Sequence, residues 1–383
     1  MPAARKVLSV VGTRPNFMKI APVAAELGRR PEFTHVLVHT GQHYDEQMSS
    51  VFLEELGVGE PDHMLGVGSG GHATQTARVM ERLEAVLEEE RPDVVLAPGD
   101  VNSTLASALT ASKMGIAVGH VEAGLRSFDR TMPEEINRVL ADQVSDFLFT
   151  HSPEALDNLV REGQLAERVH LVGNTMIDTL AAMSAAIEAL DAPGRRGLDR
   201  GTYLVVTLHR PALVDGPLLA ETMAQVADLA TGMPVVFPVH PRTRGRLDEL
   251  GIGEPAGVQL TEPLGYLEFL GLLAGARAAL TDSGGIQEET TFLGVPCFTL
   301  RSNTERPVTC ELGTNTLLGL DPARIAEVPG LLEERAADPP AVPPLWDGRA
   351  SGRIADVLAA ADLERIRAGW SDWSAGSRQP MRA

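Results

Sequence analysis

The segment Thr281-Asp282-Ser283-Gly284-Gly285-Ile286-Gln287-Glu288-Glu289 has the residue types of a phosphate cradle. The apolar run Ala278-Ala279-Leu280 leads into it as a strand. Gln287 to Leu293 reads as a helix ended by Gly294, with a further strand beginning at Val295. Paired glycines at such a turn let the backbone approach an anion, and the free N–H groups and positive dipole end of the helix then face it. Glu288 and Glu289 would repel a phosphate unless they point elsewhere; ribose hydroxyls would suit them, so the segment points to a nucleoside diphosphate. Taken alone, a Gly-Gly turn fits an ordinary strand-to-helix junction equally well.

Other candidate groups also stand where strands end. Gly12-Thr13-Arg14-Pro15-Asn16-Phe17-Met18-Lys19 closes the first strand, with Thr13 or Asn16 able to cap the next helix and Arg14 and Lys19 bracketing its first turn, a pairing that suits an anion. Asp100 follows an apolar strand, where it is either a catalytic group or a helix N-cap, and Glu122 ends another strand in His120-Val121-Glu122-Ala123-Gly124-Leu125-Arg126. Pro133-Glu134-Glu135-Ile136-Asn137-Arg138 opens a helix. Its glutamates complement the dipole, and Glu134 with Arg138 forms an i,i+4 pair, unless the group is catalytic. Three acidic motifs within one unit favour an acid/base set. Further along, His209-Arg210 and His240 take equivalent places after adjacent strands. Tyr266 and Phe269 precede a helical stretch, as core or with Phe269 stacking on a base, and Arg306 lies in the Thr304-Glu305-Arg306-Pro307 loop, where it can neutralise a diphosphate.

The elements that must position these groups are legible as alternating strands and amphipathic helices. Strands are expected at Lys6 to Val11, Val36 to His39, Val94 to Pro98, Ala117 to Val121, Phe147 to Thr150 and Val169 to Val172. After the Pro193-Gly194-Arg195-Arg196-Gly197 loop, a plausible inter-domain connection, they resume at Tyr203 to Leu208, Val235 to Pro238, Ala278 to Thr281 and Val295 to Leu300. Two open parallel α/β units in series follow, with ligands at the carboxyl ends of their strands, in the cleft between the units. Ala350 to Arg367 resembles a helix that would pack back across the first unit. The first strand lacks a following Gly-x-Gly-x-x-Gly, which weakens a dinucleotide reading.

At 383 residues the chain is long enough for two cores. With 33 basic against 52 acidic side chains its formal charge is −19, which argues against nucleic acid or an anionic membrane as partner. Its few cations must then gather at an anionic substrate, with Arg14, Lys19, Arg138, Arg210, His240, Arg242 and Arg306 as candidates. Apolar runs are too short to cross a bilayer and the start is a poor signal peptide, so a cytoplasmic location is expected. Cys297 and Cys310 have no metal-ligand spacing, which fits a reducing compartment and no zinc site.

Taken together the motifs resemble the non-hydrolysing UDP-N-acetylglucosamine 2-epimerases. The likeness runs from about Lys6 to Leu358 and includes Gly12 to Lys19, Thr40-Gly41-Gln42-His43-Tyr44-Asp45, the Asp100 and Glu122 motifs, Pro133 to Arg138, Gly173-Asn174-Thr175-Met176-Ile177-Asp178, His209-Arg210, Ser283 to Glu289 and Thr304 to Pro307. The resemblance implies an α/β fold of two Rossmann-like domains facing across a cleft (GT-B type), closing on substrate, and a homodimer. The expected domains are 1–175, joined by a C-terminal helix at about 360–375, and 176–359. It also implies reversible inversion at carbon 2 of UDP-N-acetylglucosamine through elimination of UDP, with no nicotinamide or metal.

Carried over residue by residue, the resemblance makes Asp100, Glu122 and Glu134 the acid/base group, with His209 near the diphosphate and involved in leaving-group departure. It makes Arg14, Lys19, Arg138, His240, Ser283, Gly284, Gly285, Glu289 and Arg306 substrate or UDP ligands, with Glu289 on the ribose and Phe269 near the uracil. Two departures stand out. Ala212-Leu213 replaces a polar pair that commonly follows the His-Arg motif, which opens the way to an altered sugar pocket. An Arg-Gln pair that serves activation by a second substrate molecule is missing near Gly70-Gly71-His72. Rival readings are a GT-B glycosyltransferase, a hydrolysing 2-epimerase releasing UDP and N-acetylmannosamine, an epimerase of a modified UDP-sugar, and a nucleotide-sugar-binding regulator.

Overall fold

A computed structural model describes residues 4–41, 59–335 and 341–369, and the side chain of Arg14 is outside that set. Gln42, His43, Tyr44 and Asp45 of the quoted motif also lie outside the described residues. The chain divides into two compact units, Met1–Thr175 with Arg349–Ala383, and Met176–Gly348.

In the first unit the strands are β1 (Arg5–Val11), β2 (Phe33–His39), β3 (His63–Met64), β4 (Val94–Pro98), β5 (Ala117–Val121), β6 (Phe147–Thr150) and β7 (Val169–Leu171). They form one sheet in the order β3-β2-β1-β4-β5-β6-β7, and each neighbouring pair is parallel. A parallel sheet is covered on both faces, which is why β4 and β5 are buried at every position. Leu8, Val10, Val38, Val79, Leu83 and Val95 share its core, each apolar side chain contributing about 1.5–3 kcal/mol on burial. The Asn102–Lys113 helix packs on the His72–Glu90 helix through small residues such as Ala108 and Ala111. Its buried Ser107 hydroxyl is satisfied by donating to the Ser103 carbonyl at 2.7 Å.

The second unit repeats the scheme with β8 (Leu204–Thr207), β9 (Val235–Pro238), β10 (Val258–Thr261), β11 (Ala278–Thr281), β12 (Cys297–Thr299) and β13 (Asn315–Leu317), all parallel in the order β10-β9-β8-β11-β12-β13. Leu204, Val206, Phe237, Leu280 and Phe298 lie in its core. In each sheet the order reverses beside the first strand of the unit, between β1 and β4 and again between β8 and β11. That is the switch point where an open α/β sheet leaves a crevice at its carboxyl edge.

Several sequence expectations need correction. Pro193 to Gly197 is no connection between units; it lies within the second as a 3-10 turn, Gly194–Arg196, closed by Gly197 at φ 68°. The second unit ends at Gly348 rather than 359, because the Ala350–Ala360 helix buries Ile354, Ala355 and Leu358 and packs on the Arg14–Arg29 helix of the first. The expected helix Ala350 to Arg367 is two helices, since Ala361 is extended and Asp362 accepts from the Arg365 N–H at 3.0 Å to start Leu363–Gly369. Tyr266 and Phe269 lie inside a helix, Tyr266–Gly275, not before it. The helix of the glycine turn begins at Gly284, three residues earlier than expected, so both glycines sit in its first turn. β3, β10 and β13 were not anticipated: they are short and carry too few apolar residues to announce a strand.

β2 carries two histidines held neutral by burial. His35, whose Nε2 is 2.9 Å from Ser9 Oγ, and His39, stacked on Phe17 with ring centroids 5.1 Å apart, are both pushed down by desolvation to about 4 from 6.5. Between those values the unfolded chain binds the proton and the folded chain does not, so stability falls as pH drops from 6.5 towards 4. Each histidine contributes a slope of at most about 1.4 kcal/mol per pH unit. Chemical denaturation across that range should show the decline, and His39→Gln should flatten it; an unchanged slope would refute the assignment.

Candidate active site

At the carboxyl edge of the first sheet, Glu122 follows β5 with φ at 76°, a left-handed conformation that costs a bulky residue about 1–3 kcal/mol. The conformation is held by the backbone, since Glu122 N–H donates to the Phe149 carbonyl at 3.1 Å, and by a buried ion pair with Lys19. Lys19 reaches inward from the 14–29 helix, and both side chains are less than a tenth exposed. Gly99, after β4, also takes a left-handed φ, 69°, and a Cβ there would come within 2.9 Å of the Lys19 Nζ, so the glycine makes room for the pair. Thr13 takes the N-cap position of the 14–29 helix without a side-chain bond to its N–H groups: Thr13 Oγ1 donates to Asn16 Oδ1 at 2.7 Å, and Asn16 Nδ2 donates to the Pro98 carbonyl at 2.6 Å, tying the start of the helix to the end of β4.

Asp100, the next residue, is half-buried and receives Arg138 Nε and Nη2 on one oxygen, each at 3.0 Å. It is not the cap of the following helix, whose N-cap position is Val101. Asn137 donates to the Asp100 backbone carbonyl at 2.9 Å, so the Pro133–Val144 helix grips Asp100 through two side chains. The i,i+4 pair of Glu134 with Arg138 does not form among the described contacts. Arg138 pairs instead with Glu135, whose carboxylate accepts from the backbone N–H of Ser127 at 2.9 Å and Phe128 at 2.8 Å. Sequence reading placed Glu135 only as a complement to the helix dipole and gave Asn137 no role; their spacing from Arg138 was available, but only packing shows which glutamate turns inward. Glu134 is left half-exposed and lines a cavity of about 280 Å³ with Thr13, Ser69, His72, Gln75 and Asn102.

In the second unit the organiser is Asp282. It is fully buried at the end of β11, and one carboxylate oxygen accepts from the backbone N–H groups of His209 (2.9 Å) and Arg210 (2.8 Å). The other oxygen is 3.0 Å from His209 Nδ1, which orients the imidazole and leaves Nε2 for other work. Burial raises the Asp282 carboxyl, but the His209 side chain and the N–H groups of residues 209 and 210 outweigh it and hold the acid below its ordinary value. The His240 ring lies 6.0 Å from that of His209, and its Nδ1 accepts from the Arg242 N–H at 3.2 Å. Arg242 itself turns to an exposed pair with Asp215, away from this group.

Ser283 caps the Gly284–Leu293 helix by position without a side-chain bond. A Cβ at Gly284 would lie 2.6 Å from Arg306 Nη1, so the guanidinium covers the start of the helix, while Gly285 is half-exposed. The two glutamates that would repel an anion are turned away. Glu288 Oε2 is 2.9 Å from Arg306 Nε, and Glu289 Oε1 accepts from the Tyr266 hydroxyl at 3.0 Å. Phe269 is half-buried three residues after Tyr266, on the same side of the 266–275 helix. Arg301 makes two 2.8 Å bonds to Glu305, Arg306 lies against Glu288, and Arg210 Nε donates to the Asp282 backbone carbonyl at 2.9 Å. The free N–H groups and positive dipole end of the 284–293 helix favour an anion there. Leu213 is fully buried in the second core and Ala212 is exposed, so the departure at this pair puts no bulky apolar group beside His209.

Two parallel sheets in one chain, each with its polar groups at the carboxyl edge beside the switch point, define the GT-B class of α/β proteins. The UDP-N-acetylglucosamine 2-epimerase family model matches residues 25–359, and the chain belongs to that family. It is 44% identical over 331 residues to a UDP-N-acetylglucosamine 2-epimerase of Methanococcus maripaludis, covering 84% of this chain and 89% of that one. It is 41% identical over 361 residues to a UDP-2,3-diacetamido-2,3-dideoxy-D-glucuronate 2-epimerase of Pseudomonas aeruginosa, covering 92% and 99%. The crystal structure of the Methanocaldococcus jannaschii UDP-GlcNAc 2-epimerase in complex with UDP-GlcNAc and UDP superposes with a TM-score of 0.84 at 38% identity, over 93% of this chain and 100% of that one.

Asp282→Asn keeps the shape but removes the charge that two N–H groups and His209 address. Hydrogen bonds to a charged group contribute about 1.5–3 kcal/mol, so denaturation of the variant should show a loss of that size. The wild-type contribution is complete above the ordinary aspartate value and is lost as pH falls through the lowered folded one. Equal stability of the two proteins at neutral pH would show that Asp282 is not the organiser.

Proposed function

We propose that this chain inverts carbon 2 of UDP-N-acetylglucosamine, reversibly giving UDP-N-acetylmannosamine. The observation that carries the reading is that the first unit holds carboxylates against buried cations, Glu122 on Lys19 and Asp100 on Arg138, while the second builds an anion site at the 284–293 helix N-terminus. The proton at carbon 2 is not adjacent to a carbonyl, so direct removal is too slow. Departure of UDP breaks the C1–O bond, its electron pair leaving on the phosphate, and the resulting oxocarbenium character acidifies that proton. A carboxylate takes the proton, a C1–C2 double bond forms, and 2-acetamidoglucal and UDP remain bound. Proton delivery to the opposite face and return of the UDP oxygen to C1 complete the inversion.

In this scheme Asp100, Glu122 and Glu134 move the proton. Lys19 and Arg138 hold their partners in place, and Arg14 serves as a further substrate ligand. His209, oriented by Asp282, addresses the departing diphosphate with His240 and Arg306. Gly284 and Gly285 offer backbone N–H groups to it and Ser283 its hydroxyl, Glu289 takes the ribose and Phe269 the uracil. The same reading carries a cytoplasmic homodimer, which light scattering of the purified chain checks.

A second substrate has one specific support, the Pseudomonas aeruginosa relative named for a UDP-2,3-diacetamido-2,3-dideoxy-D-glucuronate. Presenting both UDP-sugars separately, in heavy water and without an acceptor, decides between them. Deuterium at carbon 2 with UDP still attached is expected for the true substrate. Free sugar would mean hydrolysis, and no exchange with either would overturn the reading. Asp100→Asn and Glu122→Gln should each lower exchange by about 100-fold or more, and full activity removes that residue from the acid/base set. Because no Arg-Gln pair stands at Gly70 to His72, initial rates should rise hyperbolically with substrate; a sigmoidal curve would contradict this.

A further inference from the structure

His120 belongs to none of the roles above, yet it is completely buried near the end of strand β5, two residues before Glu122. Its Nδ1 is 2.6 Å from Asp142 Oδ1 and its Nε2 is 2.7 Å from the Gly99 carbonyl oxygen. Both neighbours are acceptors. A neutral imidazole has one N–H and one lone pair, so it would turn a lone pair on one of them, whereas an imidazolium satisfies both. Charge balance agrees. Asp142 Oδ2 accepts from Arg126 Nη2 at 2.7 Å, and Arg126 also binds Glu162 at 2.6 and 2.7 Å, so Asp142, Glu162 and Arg126 leave one negative charge for His120 to cancel. An uncancelled buried charge is costly.

The placement of this ring has a mechanical consequence. Gly99, at φ 69°, turns its carbonyl out of the β4–β5 ladder, and His120 is what receives it. Asp142 Oδ2 also accepts from the N–H of Gly124 at 3.2 Å. One charged pair therefore pins the backbone immediately before Asp100 and two residues after Glu122. We propose that His120 is held as an imidazolium and, with Asp142, is the positioning residue that fixes Asp100 and Glu122 relative to each other. This rests on the acid/base reading of those two residues.

The charged groups facing the ring and its partner are Asp142 from the 133–144 helix and, through it, Arg126 and Glu162, with the Gly99 carbonyl from the loop after β4. Nitrogen NMR of the full chain labelled in histidine, at a pH well above the ordinary imidazole value of about 6.5, should show both His120 ring nitrogens protonated. A bare nitrogen there overturns the proposal, whatever the variants do. His120→Gln and Asp142→Asn should each lower kcat for exchange at carbon 2 by roughly 10- to 100-fold, as small misplacements of catalytic groups do, while KM and UDP affinity stay within about 2-fold. Unchanged kcat, or an equal loss of UDP affinity, rejects the positioning role. If His120→Gln does not fold, Asp142→Asn and the wild-type spectrum still decide. A wild-type chain that exchanges no proton with either UDP-sugar would fail the functional reading instead, leaving the protonation result to stand on its own.

Discussion

Parallel strand order is the constraint from which the site follows. Every strand pair in both sheets is parallel, so within each sheet all carboxyl ends meet one edge, and each return passes through helices or loops on the way back. A parallel sheet is also buried on both faces, which leaves its edges and loops as the places for polar side chains. Glu122, Asp100 and the Thr13-to-Lys19 segment are thus brought together from distant parts of the sequence without any feature dedicated to that purpose. The same holds for His209, His240 and Asp282 in the second unit.

Once groups of opposite charge share an edge, burial decides their pairing. Lys19 and Glu122 form an ion pair with little water to weaken it, and the strained backbone of Glu122 persists because neighbouring bonds determine it. Asp282 shows the same logic: burial alone would favour its neutral form, but two N–H groups and an imidazole reverse that preference. At Glu122 strain and buried charge coincide at a strand end where the proposed chemistry lies.

The alternation of apolar strands with helices made the two α/β units and most strand positions legible, since short apolar runs such as Val94 to Pro98, bounded by turn residues, are readily buried on both faces as strands of a parallel sheet. β10 and β13 escaped notice because their burial is partial or their interior residues polar; Asn315 is buried yet satisfied by Gln287 and Thr309. The return of the chain to the first unit at Arg349 was misplaced for a similar reason, a helix pattern showing that a face will be buried but not what will bury it.

By itself, then, the sequence determined the fold class, the family and the residue types at each strand end, because periodicity and motif order are local and survive without coordinates. Only the tertiary structure decided the partners. It turned Glu135 rather than Glu134 towards Arg138, set Asp282 under His209, drew Arg242 off to Asp215 and closed His120 between Asp142 and Gly99. The reason is that a charged side chain chooses among several neighbours by distance and burial. Those quantities exist only once the strands have brought remote residues within about 3 Å of one another.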